Sequence, residues 1–441
     1  MQLPYPVIVV PGVTGVYLRD EYPLTPEYVW TVLKKDYERV ALHPDDLRYE
    51  ANEPARVMPG QIHDIAYRDM LDELRSNLGP QRDKPVPVYP FSFDWRQPLE
   101  SSEDQLDRFI TEVIERTLLL PHYHKAGYAK EGKVNLLGHS MGGLIITGYL
   151  ARWGQKGLVD KVATLATPYQ GSVEAAIQIA TGMANLGTAA SSSREREAAR
   201  LTPALYYFLP SYPDSLISAP GIPNSLFNVD AWQAGVVDSI ADTIRLKGLP
   251  RTSGQKPTKQ TARDLFEKML TDGKAHRDRL DSFKLAKAGL DEKDWLAVVG
   301  VGVKTRVQIR VVKRNGKTDF DLDLRDQAGY VNTWGNSNST NQYLTGDGTV
   351  PFEGAIPKFL RMESLVCVTP DDFGPWELRD RVLSAATDLH GVLPTMNMLQ
   401  RLLVRFFAGK ADTHHNTWGL PAPGVTTDQW DPPLAFDKKD G

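Results

Sequence analysis

A single cysteine, Cys367, stands among 441 residues. That excludes an intramolecular disulfide and any metal site built from several thiolates. No stretch reaches the roughly 18 consecutive apolar residues that a bilayer-spanning helix needs. Neither sign of charge dominates: 51 lysines and arginines against 55 aspartates and glutamates leave a formal net charge of −4, so no global field recruits nucleic acid. The one basic run, at 304–314, interleaves Lys304, Arg306 and Arg310 with Val307, Ile309 and Val311, the pattern of a half-exposed strand. No internal repeat is visible. The first residues lack a basic region followed by a long apolar stretch, so no signal peptide is expected. The reading is a cytoplasmic protein, with a processed exported chain as the alternative. What remains is ordinary: 41% apolar and 24% charged residues, enough to build a core and too apolar for a disordered chain.

The periodicities describe strands alternating with amphipathic helices. Apolar runs at 6–10, 134–137, 162–165 and 295–300 read as buried strands, with an irregular one at 86–91 and a short one at 366–368. Stripes at a 3.6-residue period predict helices over 61–78 and behind Ser101, where Ser101 and Asp104 resemble a capping box. Thr25-Pro26-Glu27 resembles a helix start that continues through Val29, Trp30, Val32 and Leu33. Asn315-Gly316 between two strand-like runs signals a tight hairpin. Such alternation predicts a mostly parallel sheet covered on both faces. From 169 to 294 it fades into helical fragments broken by serine- and proline-rich stretches, too long for a bare loop, and reads as a mainly helical cap. The expected organisation is a core over 1–168, the cap over 169–294, a second core part over 295–410 with a hairpin excursion at 303–324, and an irregular tail over 411–441.

The sharpest signal is Gly138-His139-Ser140-Met141-Gly142, a G-x-S-x-G sequence between a strand and a helix. Glycines on both sides of the serine permit a crowded strand-to-helix turn that projects its hydroxyl into a cleft. A serine nucleophile needs a base, because its hydroxyl is protonated at neutral pH, and the base needs an acid to fix its tautomer. In this architecture the chain order is serine, acid, histidine. His43, His63, His122 and His124 precede Ser140. His139 belongs to the turn and reads as a packing or hydrogen-bonding residue. His276, among Lys274, Arg277, Asp278 and Arg279, reads as part of a solvated helix, and His414-His415 as part of a polar tail. His390 is therefore the favoured base. Asp347, between Gly346 and Gly348, is the candidate acid, with a solvent-facing Asp-Gly turn as its alternative. The amides of Val13 and Met141 are the candidate oxyanion donors. His122-x-His124 and Asp412-x-His414-His415 read as surface polar groups, so no metal and no cofactor are expected.

These residues together resemble the lecithin:cholesterol acyltransferase-like family of α/β-hydrolases. The likeness runs through the segment 6–12 with Gly15, Phe93-Asp-Trp-Arg96, the Gly-His-Ser-Met-Gly-Gly elbow, Ala166-Thr-Pro168, Tyr207-Phe-Leu-Pro210, Val299-Gly-Val-Gly302, Gly346-Asp-Gly-Thr-Val-Pro351 and His390. The resemblance implies an α/β-hydrolase fold, a triad of Ser140, Asp347 and His390, cleavage of acyl esters of lipids, and in some members transfer of the acyl group to an alcohol. It also implies a cap or lid over the site; the disulfide-closed lid of secreted members has no counterpart here, where the segment 17–30 would take that place. Thr14, Asp94, Trp95, Tyr207 and Phe208 are the candidate cleft residues, although Asp94-Trp95-Arg96 reads better as a structural unit, with Trp95 packed and Asp94 paired to Arg96. The segments 204–209 and 216–227 are candidates for an acyl pocket. The expected function is a serine-dependent hydrolase of lipid-like or apolar esters, with transient contact with a lipid interface and no nucleic-acid partner. The alternatives are an acyltransferase, a small lactone, amide or thioester hydrolase, and a non-catalytic lipid-binding module.

Overall fold

In a computed structural model the chain is described over residues 3–434 except 32, 52–54, 80–82, 184–192, 251, 253, 255–256, 322–345, 375–376, 378–387 and 412–418. The strands, in chain order, are β1 (Val7–Val10), β2 (Val16–Asp20), β3 (Glu27–Trp30), β4 (Val57–Ile62), β5 (Val88–Pro90), β6 (Val134–His139), β7 (Val159–Leu165), β8 (Leu216–Ser218), β9 (Trp295–Gly300), β10 (Ile309–Arg314), β11 (Lys317–Asp321) and β12 (Val366–Val368). Six of them form the central sheet in the order β12-β9-β7-β6-β1-β5, with every neighbouring pair parallel. All residues of β1, β6, β9 and β12 are buried, because helices cover both faces of such a sheet. The protein has an α/β-hydrolase-like fold.

The helices that matter to the site are α1 (Tyr37–Val40), α2 (Asp64–Asn77), α3 (Leu99–Leu118), α4 (Pro121–Lys125), α5 (Met141–Trp153), α6 (Val173–Thr181), α7 (Ser193–Leu201), α8 (Ala234–Lys247) and α9 (Thr258–Asp281). Along α3, Leu106, Ile110, Val113 and Thr117 are buried at helical spacing and pack on α5. Helix α5 is buried from Met141 to Leu150, which explains its uniformly apolar sequence. Its glycines follow from close approach: a Cβ on Gly142 would lie 2.0 Å from Val10 O, and one on Gly143 would lie 1.9 Å from Thr167 Oγ1.

Sheet order locates the cleft. From β1 the chain passes to β5 on one side, then returns across β1 to β6 and continues through β7, β9 and β12 on the other. The switch in direction falls between β1 and β6, where the loops leaving their carboxyl ends part and open a crevice. Those loops carry Gly12 to Gly15 and Ser140.

Two smaller sheets flank the core. Strands β3-β2-β4 are antiparallel, and β11-β10-β8 joins the hairpin around Asn315 (φ 52) and Gly316 (φ 74) to β8. The expected helix at 25–33 is overturned: Glu27–Trp30 is β3, with Tyr28 opposite Arg19 and Trp30 opposite Leu18. The expected capping box at Ser101 is also absent, since α3 begins at Leu99 after Pro98 and no side chain caps it. The basic run becomes a strand only from Ile309, with Ile309 and Val311 buried. Part of the hairpin excursion, from 322 to 324, and His414-His415 lie outside the described residues. Within 169–294 the structure holds α6 to α9 with short 3-10 turns and β8. Of the last residues, Leu420 exchanges two backbone hydrogen bonds of 2.8 Å with Cys367, which covers the free edge of β12.

Candidate active site

Ser140 sits between β6 and α5 with φ 53 and ψ −121. A side chain is strained in that conformation, and the surroundings hold it there: Ser140 N donates to Leu165 O at 2.8 Å, and Gly143 N to Ser140 O at 3.1 Å. A Cβ on Gly138 would meet Gly143 N at 2.6 Å, so the turn closes only around glycine. Ser140 Oγ lies 2.8 Å from Nε2 of His390, and Nδ1 of the same ring lies 2.7 Å from Asp347 Oδ2. All three residues are buried.

Asp347 is held by its own loop. Its Oδ1 accepts from Thr349 N at 3.0 Å and from Val350 N at 2.7 Å, which leaves Oδ2 for the imidazole. Gly348, with φ 101, turns the chain and donates its N–H to Thr305 Oγ1. The solvent-facing turn is thereby excluded, since Asp347 is 1% exposed. His390 lies in the short helix Leu389–Val392, capped by Asp388. Burial lowers the His390 pKa, but the Asp347 carboxylate and then Asp388 outweigh it and hold the ring above 6.5. Asp388 is itself raised, chiefly by burial.

On the other side of Ser140 is the loop after β1. A Cβ on Gly12 would lie 2.9 Å from Ser140 Cβ, so this backbone passes directly beside Ser140. Gly15 N closes the turn onto Gly12 O at 3.0 Å, with Thr14 at φ 60. Met141 is the first residue of α5, where helical N–H groups have no partner in a preceding turn and the helix end is positive.

Ser140 and His390 open onto a cavity of about 350 Å³ lined by the loop 12–15, by Ala175, by Leu205 and Phe208, and by the polar Ser172, Glu174, Gln178 and Asp388. Thr14 and Phe208 line it. Asp94, Trp95 and Tyr207 are not among its lining residues. Asp94 instead makes two 2.8 Å contacts with the Arg96 guanidinium, which also reaches Glu50 at 3.0 Å. Trp95 packs on Trp30 and donates to Val16 O. Tyr207 donates to Glu100 at 2.5 Å, on the side facing α3. The segment at 216–218 is committed to β8. Glu174 and Gln178, one helical turn apart on α6, were not singled out in sequence; their helical spacing is the only signal there. Burial pushes the Glu174 carboxyl upward, opposed by Arg306. Among the described residues, no group of three or more His, Cys, Asp and Glu is arranged to hold a metal ion, and no helix is long and apolar enough to cross a membrane.

His276 corrects the sequence reading most sharply. It is 1% exposed rather than solvated, with Nε2 2.9 Å from Oε1 of the buried Glu103.

Among known proteins, a model of the lecithin:cholesterol acyltransferase family matches residues 56–228, a span that includes Ser140 and ends before Asp347 and His390. No curated protein matches. Among solved structures, the crystal structure of the Tle4–Tli4 complex superposes with a TM-score of 0.57 at 13% identity, covering 93% of this chain and 98% of that one; at that identity the likeness is one of fold. The partial family match and the fold together support an enzyme of the hydrolase or acyltransferase type that acts on an ester.

Proposed function

We propose that the protein is a serine-dependent carboxylic ester hydrolase for lipid-like or otherwise largely apolar acyl esters, working through an acyl-enzyme. One observation carries the reading: Ser140, His390 and Asp347, distant in sequence, meet in a chain of hydrogen-bond contacts, and Ser140 and His390 line one cavity. His390 takes the Ser140 proton as Oγ attacks the ester carbonyl, and Asp347 holds the ring and its positive charge. The oxyanion is received by the Met141 and Val13 amides, each worth roughly 3 kcal/mol. Collapse breaks the ester bond and the leaving alcohol takes the proton from His390; the neutral ring then deprotonates water as it attacks the acyl-enzyme, and the second collapse releases the acid as His390 returns the proton to Ser140 Oγ.

Residues 169–294 act as the cap: α6 and the turn at Leu205 and Phe208 supply part of the wall of the cavity that Ser140 lines. The apolar part of that wall suits an acyl chain, and Glu174 with Gln178 suits hydrogen-bond donors elsewhere on the substrate. The test is labelling by a fluorophosphonate, compared between the parent and Ser140→Ala, followed by hydrolysis of aryl esters and phospholipids of graded chain length. Serine-dependent labelling with a preference for medium or long acyl groups is expected. No labelling of the folded parent overturns the enzyme reading, and a preference confined to acetyl esters overturns the apolar substrate class.

A further inference from the structure

Tyr67, in α2, is 2% exposed and is not a member of the Ser140–His390–Asp347 set, yet it touches two of that site's supports. Gly12 N donates to Tyr67 Oη at 3.0 Å. The same oxygen lies 2.7 Å from Nδ1 of His139, and Nε2 of His139 lies 3.0 Å from the carbonyl oxygen of His390. Gly12 begins the loop that runs beside Ser140, His139 immediately precedes the nucleophile, and His390 is the base. One tyrosine and one imidazole thus tie together three backbone segments that reach the site from β1, β6 and the chain after β12.

Counting protons fixes the direction of each bond. A carbonyl oxygen only accepts, so Nε2 of His139 carries the hydrogen; in a neutral ring Nδ1 is then bare and accepts from Tyr67 O–H. The tyrosine oxygen, having donated its one hydrogen, accepts from Gly12 N–H. The opposite tautomer would set the Nε2 lone pair against the His390 carbonyl. Burial, reinforced by the neighbouring His390 ring, pushes His139 down to about 3, so it stays neutral while His390 takes up and returns a proton. The two rings lie 5.3 Å apart, and their shifts are opposite, His139 downward and His390 upward.

We propose that Tyr67 and His139 are positioning residues: a one-way relay, Gly12 N–H to Tyr67 O–H to His139 to the His390 carbonyl, that sets the oxyanion-donor loop and the base against the nucleophile. The proposal rests on the ester-hydrolase reading for its effect on rate, and on geometry alone for the coupling of the loop.

The experiment compares the parent with Tyr67→Phe, His139→Gln and His139→Leu. It measures kcat and KM on a p-nitrophenyl ester, the rate of fluorophosphonate labelling, and amide hydrogen exchange in the peptide containing Gly12. Tyr67→Phe is expected to lower kcat and labelling roughly tenfold or more, short of the ~10²–10³ for losing a donor outright, with KM nearly unchanged and faster exchange at Gly12. His139→Gln, which keeps one acceptor and one donor, is expected to retain more activity than His139→Leu, which keeps neither. A Tyr67→Phe protein with the parent's kcat and the parent's exchange overturns the relay. If the parent does not label at all, the enzyme reading falls, and unchanged exchange at Gly12 still decides the relay by itself. Should Tyr67→Phe fail to fold, His139→Gln is judged by the same exchange measurement.

Discussion

At Ser140 the backbone and the side chain have opposed preferences. Its φ of 53 and ψ of −121 suit glycine, whereas the hydroxyl that contacts His390 needs a Cβ, and the strain of about 1–3 kcal/mol is retained by the packed elbow. Ser140→Ala and Ser140→Gly both remove the hydroxyl and its bond to His390, and both are expected to lower kcat by several orders of magnitude. Their stabilities should differ in the unusual direction: the glycine variant should unfold at higher urea than the alanine variant, by about 1 kcal/mol, because only glycine relaxes the backbone. Equal midpoints would remove the argument for strain. His390 sets the pH response. The proposed mechanism requires its neutral form, and its pKa is held above 6.5, so kcat/KM should fall with acid through a limb centred above pH 6.5. Asp388→Asn removes one of the carboxylates that raise it, and the limb should move to lower pH. A limb unmoved by that change would mean that Asp388 acts only as the cap of His390. The stability contribution has the opposite sense. A group raised on folding stabilises fully below pH 6.5 and loses that contribution as pH rises through the folded value.

The elements were legible where the pattern was local. Both the elbow and the strands β1, β6, β7 and β9 announce themselves as apolar runs ended by glycine or proline, and α2 and α3 as stripes. Segment 27–30 did not, because Thr25-Pro26 offers a good helix start, while the pairing of Trp30 with Leu18 and of Tyr28 with Arg19 is a tertiary matter and favours aromatic and β-branched residues in a strand. Ser140, Asp347 and His390, which the fold brings into contact, could be named from motif and chain order, but Glu174 and Gln178 could not, since a polar pair on a helix reads by default as a solvated face. The elbow helix makes a prediction of its own. Gly142→Ala would force a methyl to within 2.0 Å of the Val10 carbonyl oxygen, backbone that cannot rotate away, so a loss of about 3 kcal/mol or more is expected, with displacement of Ser140 and loss of labelling. Gly235→Ala in α8, where a Cβ meets nothing within 4 Å, should instead be neutral or stabilising by up to about 1 kcal/mol. Urea midpoints of the two variants check the contrast.

Across the whole molecule, the contact of α9 with α3 and α5 has a polar centre. Glu103 of α3 is fully buried and receives Nε2 of His276 at 2.9 Å and a guanidinium nitrogen of Arg279 at 2.9 Å, both from α9, together with Arg152 of α5 at 2.9 Å. A Cβ on Gly148 would lie 1.9 Å from the same carboxylate, so α5 makes room for it. None of this was readable along the chain: His276 sits among lysines, arginines and aspartates, and its partner is 173 residues away. Buried carboxylates of this kind are costly to desolvate and add little net stability over an apolar filling, yet removing one partner strands the others. Both arginines keep 28% of their side-chain surface exposed, so water offsets part of their loss, whereas His276 has no such outlet. Glu103→Ala is therefore expected to cost about 2–4 kcal/mol, somewhat below a fully buried pair, and to loosen α9 from α3 and α5. Limited proteolysis should then cut within 169–294 well before the sheet. Because Ser140, Asp347 and His390 are held by β6, by the turn at 346–350 and by the short helix at 389–392 rather than by α9, the folded fraction of the variant should still label with a fluorophosphonate while its selectivity for acyl length broadens. Loss of labelling in step with loss of α9 would mean instead that the segment 169–294 holds Ser140, Asp347 and His390 in place.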